Sequence, residues 1–258
     1  MRSTRRSSRS SPPGSGPYAR TRIANEFWPA DTGGLRRPWR QGRDGQRPLT
    51  YAQALAQRGH LAANFGASGI GPGDRVGLAM VDNIDVVLSI LACWKIGATP
   101  VVVDFRTPRS QRARQARDFG LKMVFESRAM PGDEAYPNAL FDAGWKSASA
   151  PGFDANAAAM DDASPAFLIF SSGTTGDPEA YTQSHEALAR RIAARRGVVE
   201  GTAKRFLTPM ALSYSAMRHQ VLGYLLYGAI LAAMKGMARN ARKIATNIST
   251  PCRTRMAF

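Results

Sequence analysis

Cysteine is nearly absent from this chain: Cys93 and Cys252 are the two in 258 residues, at no spacing that makes a zinc knuckle or a redox pair. The three histidines, His60, His185 and His219, are scattered, so no metal site is expected. A membrane-spanning stretch is lacking as well. The longest run without a formal charge, between Arg218 and Lys235, has 16 residues and includes Gly223 and Gly228, short of the roughly 20 a spanning helix needs. It reads as a buried helix running into a strand. Acid is missing from two regions. Residues 1–25 hold six Arg, residues 201–258 hold nine Lys or Arg, and neither holds an Asp or Glu. Residues 26–200 hold 20 basic against 19 acidic side chains, so nearly all of the net charge of +16 lies outside a close-to-neutral middle. Basic segments of this kind attract nucleic acid or acidic lipid without specificity. No aromatic platform is interleaved with the arginines, and no specific nucleic-acid partner is expected. Residues 1–22 have no apolar core of a secretory signal, and Pro12-Pro13-Gly14 interrupts an amphipathic transit helix. The expectation is a cytoplasmic protein with a disordered basic segment over 1–48, in which Trp28 and Trp39 are candidate anchors.

What is present alternates between helical and strand periods. Thr50 with Gln53 makes a capping-box pattern ahead of a helix bearing Tyr51, Leu55, Ala62 and Phe65 on one stripe. Gly69–Asp74 (GIGPGD) precedes a strand, Arg75–Val81, instead of following one, and so reads as a turn and not as a dinucleotide fingerprint. Asn83 is placed to cap a helix that Gly97 ends. Thr99–Asp104 reads as a doubly buried strand, Ser110–Phe119 as a short basic helix and Lys122–Glu126 as a further strand. Crossovers of this length predict parallel strands and a three-layer α/β unit over 49–126. Residues 127–165, rich in Ala, Gly, Pro and Asp, read as a connector with one strand near Leu140. A second α/β unit is expected over 166–234: a strand from Ala166, a helix from Ser184, a strand near Phe206, a helix from Ser215 and a strand at Ala229–Met234. Residues 235–258 lose periodicity and read as an unstructured tail.

Between the apolar run Ala166–Phe170 and the helix start at Ser184 stand Ser171, Ser172, Gly173, Thr174, Thr175, Gly176, Asp177 and Pro178. Small residues let a backbone curl around an oxyanion, with N–H groups and hydroxyls as donors. No Gly-Lys-Ser/Thr follows, which excludes a Walker A loop, and a plain flexible turn is the competing reading. The stretch Ser172–Pro178 resembles the phosphate-binding signature of the adenylate-forming superfamily, which includes acyl-CoA synthetases and peptide-synthetase adenylation domains. Leu49-Thr50-Tyr51 and Leu91–Asp104 are similar to further blocks of that superfamily, and Pro209–Tyr214 resembles the block whose aromatic borders the carboxylate substrate.

The resemblance implies an N-terminal adenylating domain of parallel sheets flanked by helices. It implies ATP and Mg²⁺ as cofactors, a carboxylic acid and coenzyme A or a carrier-protein thiol as partners, and a role in fatty-acid metabolism. It places Ser172, Gly173, Thr174, Thr175 and Gly176 against the phosphates and Tyr214 beside the acyl group, Tyr214 being otherwise a core residue. Two departures stand out. Glu179-Ala180 occupy the places of the signature's Lys-Gly, which sets an anion near the phosphates unless Glu179 points to solvent. The superfamily's Tyr-Gly-x-Thr-Glu segment, a Thr-Gly-Asp segment beyond the phosphate loop and the lysine-bearing closing domain do not occur in these residues. The expectation is an incomplete adenylating domain, inactive alone. The alternatives are a half-enzyme completed by another chain along an exposed Val221–Met234 seam, and a non-catalytic basic binding protein.

Overall fold

The computed structural model describes residues 38–40, 49–153, 160–170, 179–194, 205–208, 210–226 and 230–233. Helix α1 (Tyr51–Ala67) begins as its sequence dictates. The Thr50 hydroxyl oxygen accepts from the Gln53 N–H at 3.2 Å while Gln53 Oε1 accepts from the Thr50 N–H at 2.8 Å, so both halves of the capping box close. Gly69 and Gly73 turn the chain at φ of 84° and 83°, and the Asp74 carboxylate accepts from the Gly71 N–H at 2.9 Å.

Strand β3 (Arg75–Ala79), helix α2 (Asn83–Lys95), β4 (Thr99–Val102), helix α3 (Arg109–Asp118), β5 (Leu121–Glu126) and β6 (Asn138–Leu140) follow in turn. They build a wholly parallel sheet in the order β4-β3-β5-β6. Both faces are covered, as parallel sheets require. Val76, Leu78 and Phe125 pack with α1 and α2 in the larger core, whereas Ala79, Val101, Val103 and Val124 meet Ala116 of α3 in the smaller one. Gly77 admits no side chain: a Cβ there would lie 2.9 Å from Val124 Cγ2 of the paired strand. β6 and the 3₁₀ turn Ala143–Lys146 both fall within 127–165. Trp145 of that turn stands edge-on to Phe65 and Phe125, with ring centroids 6.3 and 5.7 Å apart.

The cap of α2 differs from expectation by one residue. Asp82, not Asn83, accepts from the Ile84 N–H at 2.8 Å. Asn83 is buried and its amide is engaged elsewhere, with Nδ2 donating to the Met210 carbonyl at 3.0 Å and Oδ1 accepting from the Leu212 N–H at 3.3 Å.

β7 (Pro165–Phe170) packs beside β4. It is tied to α2 by Trp94, whose Nε1 donates to the Ala166 carbonyl at 2.8 Å. β8 (Ala180–Ser184), absent from the sequence expectation, pairs with β7 in antiparallel register. Its residues, Ala-Tyr-Thr-Gln-Ser, carry no apolar run that marks a strand. Helix α4 (His185–Ala193) starts on Ser184, whose hydroxyl accepts from the Ala187 N–H at 3.2 Å. β9 (Arg205–Thr208), helix α5 (Ser215–Leu226) and β10 (Ile230–Ala233) follow, with β9 and β10 parallel.

Ahead of the first helix, β1 (Pro38–Arg40) runs parallel to β10 and takes β2 (Leu49–Thr50) as its antiparallel neighbour, in the order β2-β1-β10-β9. Pro38–Arg40 falls inside the segment expected to be disordered. It is a strand there because β10, far along the chain at Ile230–Ala233, supplies the ladder that no local pattern announces. The rest of 1–48 up to Pro48 and the whole of 235–258 lie outside the described residues. Val221, Leu222 and Leu225 are buried in the larger core, so this part of the uncharged run is interior and not an exposed seam. Among the described residues no helix is long and apolar enough to cross a membrane.

Candidate active site

In open parallel α/β sheets, ligands gather at the carboxyl ends of the strands. β7, beside β4 but paired only with antiparallel β8 among the described residues, ends at Phe170, which packs on Phe119 with centroids 4.8 Å apart, and the chain returns at Ala180, the pairing partner of Phe170. Ser172, Gly173, Thr174, Thr175 and Gly176, the expected phosphate-facing residues, fall between these two positions and outside the described residues. Glu179, at the entry to β8, is exposed.

Tyr214 is described, and it is not core. It is 50% exposed at the turn into α5, with its carbonyl accepting from the Met217 and Arg218 N–H groups at 3.1 and 3.2 Å. The turn beneath it is held from three sides. Asn83 binds the backbone of Met210 and Leu212. Arg218, 2% exposed, donates from Nη1 to the carbonyls of Leu212 and Ser213 at 2.8 and 3.0 Å, while its guanidinium lies 5.1 Å from the Phe167 ring centre. Ser213 Oγ donates to Asp104 Oδ2 at 3.1 Å, joining the turn to the end of β4.

Asp104 is itself gripped by Arg106, whose Nε and Nη2 donate to its two oxygens at 2.8 and 2.7 Å. These bonds hold the Asp104 carboxyl below the usual carboxylate range, and Asp104 pushes the Arg106 guanidinium up, with the Tyr214 side chain contributing in the same direction. Burial lowers Arg218 to about 10, with Tyr181 opposing the shift.

Behind this rim, Arg112 of α3 and Glu126 of β5 form a buried ion pair, Nη1 to Oε1 at 2.7 Å. Tyr136 also donates its hydroxyl to Glu126 Oε1, and Arg112 Nη2 donates to the Phe105 carbonyl at 2.6 Å. The pair therefore fixes the backbone immediately before Arg106.

A family model described as AMP-binding enzyme matches residues 31–251. The chain belongs to this AMP-binding enzyme family. Tyrocidine synthase 3 of Brevibacillus parabrevis is 26% identical over 212 residues, covering 80% of this chain and 3% of that protein. A medium/long-chain fatty-acid–CoA ligase of Mycobacterium tuberculosis is 29% identical over 173 residues, covering 60% of this chain and 28% of that protein. Among solved structures, o-succinylbenzoate coenzyme A synthetase from Bacillus subtilis in complex with AMP has a TM-score of 0.71 at 18% identity, over 82% of this chain and 56% of that one. The N-terminal subdomain of Klebsiella oxytoca NpsA in complex with 3-hydroxybenzoyl-AMSN has a TM-score of 0.70 at 22% identity, over 88% and 56%. The chain thus spans a small share of these curated relatives and about half of the solved chains. Family membership supports the AMP-binding-enzyme character. With tyrocidine synthase 3 standing beside a fatty-acid ligase among the relatives, fatty-acid metabolism is not distinguished.

Arg106 and Arg218 escaped the sequence reading, and Asn83 was read only as a helix cap. Each acts on backbone or side chains far away in the chain or across an irregular turn, and no local spacing signals that. The one available hint was charge: Arg218 is the sole charged residue in the otherwise apolar stretch from Phe206 to Met234. Among the described residues no group of three or more His, Cys, Asp or Glu side chains comes together as metal ligands. No described residue is assigned to the Mg²⁺ that the family resemblance implies, and no chemical step is routed through it.

Proposed function

We propose that this chain provides the phosphate-holding and acyl-facing portion of an AMP-forming acid–thiol ligase acting in the cytoplasm. In the parent reaction a carboxylate oxygen attacks the α-phosphorus of ATP, the bond to the β-phosphate oxygen breaks, and pyrophosphate leaves. A thiol then displaces AMP from the acyl-adenylate to give a thioester. The observation that carries this reading is that the family match spans both the Ser172–Pro178 signature and the Tyr214 turn. The roles follow from the family resemblance together with the donors these residues carry. The Gly173 and Gly176 backbone with the Ser172, Thr174 and Thr175 donors faces the terminal phosphates, and Tyr214 faces the acyl group. Either coenzyme A or a carrier protein serves as acceptor, and small aromatic or medium-chain acids are the substrate class.

By itself the chain is proposed not to turn over, because its 258 residues contain neither the Tyr-Gly-x-Thr-Glu segment nor a second Thr-Gly-Asp. ATP–pyrophosphate exchange with benzoate, salicylate and octanoate tests this, with exchange expected at the level of the no-enzyme blank. Robust acid-dependent exchange would refute the proposed inactivity. Completion by a second chain finds no support in Val221, Leu222 and Leu225 of the uncharged run, which are interior.

Glu179 provides a second test. A unit charge a few Å from a phosphate changes its energy by about 1 kcal/mol in water and more as dielectric falls. Glu179→Lys exchanges a repulsion for an attraction at an exposed position. Calorimetric titration is expected to show ATP binding about tenfold tighter, equivalent to roughly 1.4 kcal/mol. Equal affinity for the two proteins would mean that the side chain stays clear of the phosphates.

A further inference from the structure

We propose that a cleft between α1, the end of α2 and the segment 147–153 binds a small aromatic acid, with Lys95, His60 and Ser149 meeting its carboxylate and its ring lying between Phe153 and the face of α1. This cleft is separate from the Tyr214 turn and does not rest on the function proposed above.

The cleft has a volume of about 230 Å³. Binding pockets for larger organic ligands begin near roughly 300 Å³, so this one admits a single ring with its carboxylate and excludes a nucleotide. Ala56, Gly59 and Ala63, spaced to share one face of α1, supply its helical side. Lys95, the last residue of α2, and His60 bring cationic or proton-bearing groups, and no carboxylate lines the cleft. Asn83, which holds the Tyr214 turn, stands at the opposite end of α2, about 18 Å away at 1.5 Å per residue.

The far wall is fastened in place. Asn64 Nδ2 donates to the Trp145 and Ala148 carbonyls at 3.3 and 2.8 Å, which holds the following residue, Ser149, against α1. Ser149 Oγ then lies 2.9 Å from His60 Nδ1. Either tautomer leaves a donor at this edge. If the hydroxyl donates to Nδ1, the Nε2–H remains, and if Nδ1–H donates, the hydroxyl proton remains.

Two glycines of α1 have different reasons to be there. At Gly66 a Cβ would lie 2.0 Å from the Phe153 ring, so the ring seats only because the side chain is missing. At Gly59 a Cβ would meet nothing within 4 Å. A glycine inside a helix destabilises it relative to alanine, and no neighbour in the protein requires this one. Its effect is to keep the cleft open beside Lys95, His60 and Ser149. An anion satisfies the polar edge, and a flat apolar ring suits the alanine-lined face and Phe153.

The test titrates the full chain with 4-fluorobenzoate and follows the ligand by ¹⁹F NMR. Wild type is expected to bind in the millimolar range or tighter. Gly59→Leu fills the cleft from its helical side and is expected to weaken binding at least about tenfold, with a thermal midpoint at or above that of wild type. Lys95→Gln is expected to weaken it about fivefold. Phenyl phosphate is expected to displace the fluorinated acid, and inorganic phosphate to leave it bound. Displacement by inorganic phosphate at matching concentration overturns the aromatic class, and absence of wild-type binding up to about 10 mM overturns the site. Binding undiminished in both variants also overturns it, because the acid then sits elsewhere, and that result leaves the function proposed above intact. Loss in both variants beside a silent ATP titration of wild type does the reverse: the cleft stands and the nucleotide function falls.

Discussion

Arg112→Ala is expected to lower the stability of the folded chain by about 3–5 kcal/mol, the usual cost of stranding one member of a buried ion pair. Glu126 is fully buried and Arg112 nearly so, at 0% and 2% exposure. Removing the guanidinium leaves the Glu126 carboxylate with the Tyr136 hydroxyl and a long contact to Asn138 Nδ2 at 3.5 Å. Neither neutralises its charge. It also releases the Phe105 carbonyl. Replacing both partners, as Arg112→Met with Glu126→Leu, is expected to cost less than the single change, because no charge is then left in an apolar setting. Urea unfolding followed by far-ultraviolet dichroism measures both. A single variant within about 1 kcal/mol of wild type would contradict the account.

Acid is expected to destabilise the protein well before its carboxylates titrate, and His185 is the reason. It is the first residue of α4, 3% exposed, with its ring edge-on to Trp94 at 5.1 Å and neither ring nitrogen hydrogen-bonded. Burial lowers its pKa to about 4, with Asp162 and Asp161 opposing the shift more weakly. A proton there would also sit at the positive end of a helix.

The sign follows from linkage. The folded pKa lies below the unfolded value near 6.5, so the unfolded chain takes up the proton first. The stability contribution is whole above about pH 6.5 and is lost as pH falls toward about 4. A shift of this size corresponds to about 3 kcal/mol. Urea midpoints measured between about pH 7 and pH 4.5 are expected to fall steeply for wild type and much less for His185→Phe, which fills the same apolar site without a titrating group. Parallel slopes for the two proteins would contradict the assignment.

The fold was legible wherever one segment carried its own signal. Thr50 and Gln53 announced α1, Gly97 ended α2, and the Val run of Thr99–Val102 read as a buried parallel strand because it is one. Asn83 looked like a cap from composition alone, but tertiary demand redirected its amide to the Met210–Leu212 backbone and left the task to Asp82. β8 was hidden because a strand paired on one side and half-exposed has no need of apolar residues. β1 was hidden because its partner is distant in sequence. At the site, the family resemblance points to Ser172–Gly176, which lie outside the described residues, and to Tyr214, which stands half-exposed at the turn into α5. The network of Asp104, Arg106, Ser213 and Arg218 could not be read in this way, since it joins residues from just beyond β4, the turn before α5 and α5 itself, which only the fold brings together.

The pairing of β1 with β10 dictates an order of events during synthesis. The first sheet can assemble once Leu140 has left the ribosome, since all four of its strands lie between Arg75 and Leu140. The second cannot. Pro38–Arg40 emerges with Leu49–Thr50 as its early partner, and its other edge waits until Ile230–Ala233 is translated, so that one strand edge stands open through most of elongation. For that interval the nascent chain is open to capture by other strands, and holding chaperones have their clearest point of action there.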